Sequence, residues 1–272
     1  MRAVELAEHI GANPLISFLT ALLLLLFVVV VFWFTLHRFY IRRHRLPDAA
    51  AARSFTATVA LGFASIAAAA ALFALLPGAI ANEGWLSSAD QALTDALRKS
   101  VSLPVLQSFA AVTFLADTAT LWAIAAAVAL ALLWRRQWMF ALAWTIALAG
   151  NGILTRVLKA IFARTRPSFE HELFSVQGWS FPSGHSSGAV VAYGMLAYIV
   201  IRFAPKAWHL WIVLAATALA FTIGCSRIFL QVHYASDVLA GFASGAAWLA
   251  VCIVAAETIR ARRAKHAQIS EL

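Results

Sequence analysis

Residues Leu15–Leu36 read LISFLTALLLLLFVVVVFWFTL, 22 consecutive positions without a charge. As a helix this stretch is about 33 Å long, enough to cross the hydrocarbon core of a bilayer. It is too long for the apolar region of a signal peptide. Its C-terminal flank is His37, Arg38, Arg42, Arg43 and Arg45 rather than a small-residue cleavage site, so the stretch reads as an anchored helix. The whole chain agrees with it. Of 272 residues, 62% are hydrophobic and 12% are charged, where soluble domains carry about 25% charged residues. That leaves too little polar side chain to cover a water-facing surface. A soluble globular domain, a disordered chain and a collagen-like chain are excluded. The net charge of +9 lies in short clusters between apolar runs, not on one basic face, which also excludes a nucleic-acid-binding domain. Cys225 and Cys252 are embedded in apolar sequence and define no disulfide framework, so both read as packing residues.

Six further runs are candidate spans: Phe55–Ile80, Thr118–Trp134 (extended by a turn at its start), Trp138–Leu154, Ser186–Ile201, Trp208–Cys225 and Val238–Ala256. Gly241 and Gly245 form a G-x-x-x-G in the last, which reads as a site of close helix packing. Between the second and third spans, Asn82–Leu103 carries Asp90, Asp95, Arg98 and Lys99. Ser88 followed by Gln91 gives a capping-box signal, and Leu86, Leu93 and Leu97 share a face, so an interfacial amphipathic helix is expected. Trp residues at span ends read as belt anchors. With the N-terminus outside, thirteen of the 21 Lys and Arg residues fall on cytoplasmic segments and eight on outer ones. The positive-inside rule therefore expects an outside N-terminus and a cytoplasmic C-terminus. The expected organisation is an N-terminal membrane helix with a basic cytoplasmic loop (residues 1–54), a six-helix membrane core (55–258) and a basic cytoplasmic tail (259–272).

Three polar clusters break the apolar pattern, all at span ends expected to face outside. They are Lys159, Arg164, Arg166 and Pro167; Phe181-Pro182-Ser183-Gly184-His185; and Ser226, Arg227, His233 and Asp237. Taken singly, each has an ordinary reading as a topology signal, a capped turn or a surface pair. Together they place the cations Lys159, Arg166 and Arg227 on one side of the membrane, where they repel one another unless an anion joins them. Ser183 and Gly184 open a helix, whose free N–H groups form an anion site. A phosphate suits this set. His233 and Asp237 are four apart, so Asp237 is placed to accept from Nδ1–H and leave Nε2 as a free nucleophile or base. His185 supplies a second imidazole for proton transfer. Glu170, His171 and Glu172, in the loop between the first two clusters, read as solvated or substrate-contacting positions.

In residue type, order and spacing, Lys159-x6-Arg166-Pro167, then Pro182-Ser183-Gly184-His185, then Ser226-Arg227-x5-His233-x3-Asp237 resemble the three signature motifs of the type 2 phosphatidic acid phosphatase superfamily. The resemblance covers about Phe55–Ala256 and implies an all-α, six-helix membrane core, with Leu15–Leu36 as an extra span. It implies that His233 attacks phosphorus, that Asp237 orients it, and that His185 protonates the leaving oxygen and later activates water. Lys159, Arg166, Ser183, Gly184 and Arg227 are implied to hold the non-bridging oxygens, without a metal or other cofactor. The expected partners are a lipid phosphate and the surrounding membrane lipids, with the chemistry on the outer face. Undecaprenyl diphosphate, phosphatidic acid, phosphatidylglycerol phosphate and a phosphorylated lipid A all fit the resemblance, a diphosphate carrier lipid first. The alternatives are a lipid phosphotransferase and a non-catalytic lipid-binding or transport protein. The intact His185, His233 and Asp237 speak against the last.

Overall fold

The computed structural model describes residues 2–43, 71, 84–167 and 178–270. The expected span Phe55–Ile80 and the loop positions Glu170, His171 and Glu172 lie outside the described residues. Among those residues no strand occurs. In chain order the helices are α1 (Arg2–Ala12), α2 (Pro14–Arg43), α3 (Trp85–Ser100), α4 (Leu103–Thr113), α5 (Thr118–Trp134), α6 (Trp138–Phe162), α7 (Gly184–Ile201), α8 (His209–Phe229) and α9 (Ala235–Ser270). Among the described residues, five segments are long and apolar enough to cross a membrane: Pro14–Leu36, α6, α7, Lys206–Phe229 and Ala235–Arg263. α5 is apolar but shorter, and α3 and α4 meet at a bend of 119°. The chain is an all-helical, multi-span membrane protein.

Several expected helix ends move, two of them beside the polar clusters. The fourth span does not stop at Leu154. α6 continues to Phe162 and ends where Ala163 adopts a left-handed conformation with φ 40°. Arg156 and Lys159 therefore ride on its last turns, because long basic side chains reach polar groups at the membrane edge without breaking the backbone ladder. The third span is not extended at its start. A 3-10 turn, Phe114–Ala116, precedes it, and Asp117 is the N-cap residue of α5. The amphipathic helix is present as α3, but the capping box is not formed. α3 starts a turn earlier, with Gly84 as N-cap; Ser88 Oγ turns back to Gly84 O and Gln91 pairs with Asp95. The earlier start brings Leu86 against buried Phe181 and Ala240.

The core lies between α5, α6, α7 and α9, where Phe140, Trp144, Val191, Met195, Ile199 and Cys252 are buried together. Trp144 is buried and Trp248 half-buried, and their indole N–H groups donate to Ala125 O (3.0 Å) and Ala147 O (2.8 Å). Lipid offers such donors no partner, so the carbonyls fix both rings. α9 packs closely on α7 through Gly241 and Gly245. A Cβ at Gly241 would lie 2.6 Å from Ser183 O, and one at Gly245 would lie 2.8 Å from Ser187 O. At the other end of the same pair, Glu257 of α9 receives Tyr198 of α7, Arg202 just past the end of α7, and Arg260 of its own helix. The Pro14–Leu36 segment buries none of its residues. Phe18 near its start packs on Phe109, Phe221 and Phe229 at centroid distances of 5.3 to 6.1 Å.

Candidate active site

The three polar clusters converge at one end of the bundle, where α6 ends, α7 begins and a tight turn joins α8 to α9. In that turn the N–H groups of Val232 and His233 both donate to Arg227 O, at 3.1 and 3.2 Å. Two hydrogen bonds to one carbonyl fix the position of His233, which is 3% exposed. Its ring is fixed from both sides. On one side Nδ1 faces Asp237 Oδ2 at 3.4 Å and Ser180 Oγ at 3.2 Å, and Ser180 Oγ itself donates to Asp237 Oδ2. On the other side Arg166 Nη1 donates to Nε2 at 3.1 Å. A guanidinium has no acceptor, so Nε2 carries the lone pair and Nδ1 the proton. Burial pushes the His233 imidazole down to about 3. The Asp237 carboxylate opposes that shift, and the cations Arg166 and Arg227 add to it. The ring is neutral and oriented, with the Nε2 lone pair facing Arg166.

Asp237 is fully buried and does more than orient His233. Its Oδ1 accepts from Arg164 Nη1 at 2.7 Å and its Oδ2 from Tyr234 N at 3.0 Å. Arg164 in turn donates through Nη2 to Asp90 Oδ2 of α3 at 3.0 Å, and its guanidinium stands 4.4 Å from the Tyr234 ring centroid. Asp90 also accepts from Ser236 N at 3.1 Å and from Ser236 Oγ. Of the first cluster's cations, Arg164 is thus committed to two carboxylates. Arg166, by contrast, holds carbonyls of both sides of the site, Gly178 O at 2.9 Å and Val232 O at 2.8 Å. Burial lowers its guanidinium, with Asp237 opposing. Lys159 Nζ, from the last turn of α6, reaches Trp179 O and Ser180 O.

Ser183 is fully buried as the N-cap of α7. Its Oγ accepts from Ser186 N at 3.4 Å and Ser186 Oγ at 2.9 Å, and its own N–H donates to Asp237 O at 2.9 Å. The second cluster is therefore pinned to the third through backbone, and what it presents outward is the N-terminal end of α7 at half-buried Gly184 and His185. His185 Nε2 lies 2.7 Å from Asp117 Oδ1. Arg227, 3% exposed, donates through Nη1 to Thr113 Oγ1 at 2.7 Å, while its Nε has no partner among the described residues. All eight residues singled out in the sequence thus lie at this end of the bundle. Sequence reasoning missed Asp90, Thr113, Asp117 and Ser180, and it counted Arg164 with the cationic cluster without seeing its two carboxylates. Asp90 was visible only as one of several charges on the expected amphipathic helix, and Asp117 as a single acid between apolar runs.

Residues 138–261 match the PAP2 superfamily. The chain is 28% identical over 176 residues to phosphatidylglycerophosphatase B of Bacillus subtilis (strain 168), covering 64% of this chain and 86% of that protein. It is 32% identical over 105 residues to the lipid A 1-phosphatase of Rhizobium johnstonii, a match covering 35% of this chain and 39% of that one. Among solved structures, a transmembrane PAP2-type phosphatidylglycerolphosphate phosphatase from Bacillus subtilis superposes with a TM-score of 0.67 at 27% identity. That likeness covers 72% of this chain and 97% of the other.

Proposed function

We propose that this chain, which carries a PAP2 superfamily domain, hydrolyses a lipid phosphomonoester or diphosphate through a phosphohistidine at His233. The relatives are PAP2-type lipid phosphatases, which supports the substrate class. The observation that carries the mechanism is the His233 environment. A neutral imidazole is locked with its Nε2 lone pair 3.1 Å from a guanidinium nitrogen. A phosphate held by Arg166 is thereby brought beside the nucleophile, the proximity that phosphoryl transfer depends on. In the first step the Nε2–phosphorus bond forms as the bond to the leaving oxygen breaks, and His185 gives that oxygen a proton. In the second, His185 takes a proton from water, the water oxygen bonds phosphorus, and His233 is released with orthophosphate. Lys159, Arg166 and Arg227, with the α7 N-terminus at Ser183 and Gly184, carry the charge on the non-bridging oxygens. Three cations supply the neutralisation that a metal ion supplies elsewhere, so the reaction is assigned no cofactor.

The charge distribution over the loops supports an outer-face site in a cell membrane, with residues 55–258 as the catalytic core. The experiment is phosphate release by the purified protein from phosphatidylglycerol phosphate, phosphatidic acid, a lipid A phosphate and undecaprenyl diphosphate, each in EDTA and with an added lipid alcohol. Orthophosphate from at least one of them in chelator is expected. Activity that requires added magnesium, or phosphate recovered only on the alcohol, would contradict the metal-free hydrolase.

A further inference from the structure

Asp117 lies outside residues 138–261 and outside all three motif clusters. It is the N-cap residue of α5, with φ −63° and ψ 149°, and its carbonyl accepts the first helical hydrogen bond, from Leu121 N at 2.8 Å. An Asp in this position ordinarily turns its carboxylate back onto the free N–H groups of the first turn. Here the side chain makes no capping hydrogen bond. Its Oδ1 instead faces His185 Nε2 at 2.7 Å. The local stabilisation a cap supplies is given up for a contact 68 residues away.

The turn that carries Asp117 is held firmly. Ala116 is buried against Ala189 of α7 and Ala220 and Ile223 of α8, and Tyr193 Oη of α7 donates to Leu115 O at 2.7 Å. One turn earlier, Thr113 accepts from Arg227 at 2.7 Å. The segment Thr113–Asp117 thus grips one residue of the second cluster and one of the third. Asp237 faces Nδ1 of His233, and Asp117 faces Nε2 of His185. The charged groups around His185 are Asp117 on this turn, Arg227 on α8 and Arg166 beyond the end of α6. Asp117 supplies the one negative charge among these three, opposite two cations.

We propose that Asp117 is the positioning residue of the leaving-group acid: by receiving Nε2–H of His185 it fixes the ring and leaves Nδ1 to exchange the proton with the substrate. This rests on the lipid-phosphatase reading above. As the His233 Nε2–phosphorus bond forms and the phosphorus–oxygen bond to the lipid breaks, the leaving oxygen keeps the bonding electron pair and takes the proton from imidazolium Nδ1–H. His185 ends that step neutral, its Nε2–H still on Asp117. In the return step Nδ1 takes a proton from the attacking water and the imidazolium is restored beside the Asp117 carboxylate.

The test separates this role from a merely structural one through the leaving group. An alkoxide needs the proton; a nitrophenolate does not. kcat/KM counts only steps up to departure of the leaving group. Asp117→Asn is therefore expected to lower kcat/KM on a lipid phosphomonoester by about 100-fold. On an alkyl-nitrophenyl phosphate the loss should be under about 3-fold, with a burst of nitrophenolate before a slow steady state. Asp117→Glu should recover part of the lipid activity. Thr113→Val, which disturbs Arg227 instead, should lower both substrates alike. Equal losses on both substrates for Asp117→Asn, or wild-type rates on the lipid, would overturn the proposal. A wild-type protein that releases phosphate from neither substrate would instead overturn the phosphatase reading itself.

Discussion

Replacing Arg164 with Met removes a guanidinium and leaves most of its volume. It takes one cation from two buried carboxylates, since the Asp237 side chain is 0% exposed, that of Asp90 is 3%, and that of Arg164 is 10%. Breaking a buried ion pair from one side costs about 3–5 kcal/mol. The lower end applies here, because Asp237 keeps Ser180 and Tyr234 N, and Asp90 keeps Ser236 N and Oγ. About 3 kcal/mol in a chain of this size corresponds to a Tm lowered by about 6–12 °C. Asp237 also loses the partner on its Oδ1, so His233 should sit less firmly and kcat should fall about 10- to 100-fold. Thermal unfolding in detergent and initial rates on a lipid phosphate read the two effects. Adding Asp90→Asn to Arg164→Met removes one of the two orphaned charges, so the double variant should unfold at a higher temperature than Arg164→Met alone, a coupling that independent sites do not show. A Tm within about 2 °C of wild type for Arg164→Met, or strictly additive losses in the pair, would refute the network.

Burial disfavours the His233 imidazolium and pushes its pKa down to about 3, while the unfolded chain would titrate that histidine near 6.5. The unfolded state therefore binds the proton first, and stability is lost as pH falls from about 6.5 towards about 3. His233→Gln should flatten that part of the Tm–pH curve, and an unchanged slope would count against a neutral buried ring. Gly241→Val places a side chain where a Cβ already lies 2.6 Å from Ser183 O and 2.8 Å from Ser186 Cβ. It should lower both Tm and activity, whereas an equally stable and active variant would show that α7 and α9 do not need this close approach. A cysteine introduced at Trp179 is expected to react with a membrane-impermeant maleimide in intact cells, with any outer membrane permeabilised. One at Gln137 should react only after lysis, and the reverse pattern would put the site in the cytoplasm.

Long uncharged runs were legible because a backbone in hydrocarbon must satisfy its own hydrogen bonds, which leaves a helix as the only outcome for a chain without strand partners. That logic yields the existence of α2, α5, α6, α7, α8 and α9 from the sequence, and the two glycines of α9 correctly mark a close helix contact. It does not yield helix ends. Arg156 and Lys159 look like a boundary, yet α6 ends at the left-handed Ala163, a backbone event with no hydropathy signal. The site divides along the same line. His233 and Asp237 are four positions apart, one in the turn before α9 and one in its first turn, so their pairing can be derived locally. Asp90 meets Ser236 across 146 positions and Asp117 meets His185 across 68. Those contacts exist only once α3 and the turn before α5 have docked, and no periodicity within either segment announces them. Ser180 is hidden for another reason. It looks like loop, and its role depends on backbone pairing between Ser180 N and Arg164 O at 2.8 Å that brings its hydroxyl under His233.

The central claim is that phosphorus is transferred to His233 Nε2, and trapping the intermediate tests it most directly. The purified protein is mixed with a lipid carrying a radiolabelled phosphate and quenched in base within the first turnover. The protein is then digested and the labelled peptide sequenced. The account predicts acid-labile, base-stable label on the peptide containing His233, present in the wild type and absent in His233→Ala. Label on another residue, or full turnover by His233→Ala, would contradict it.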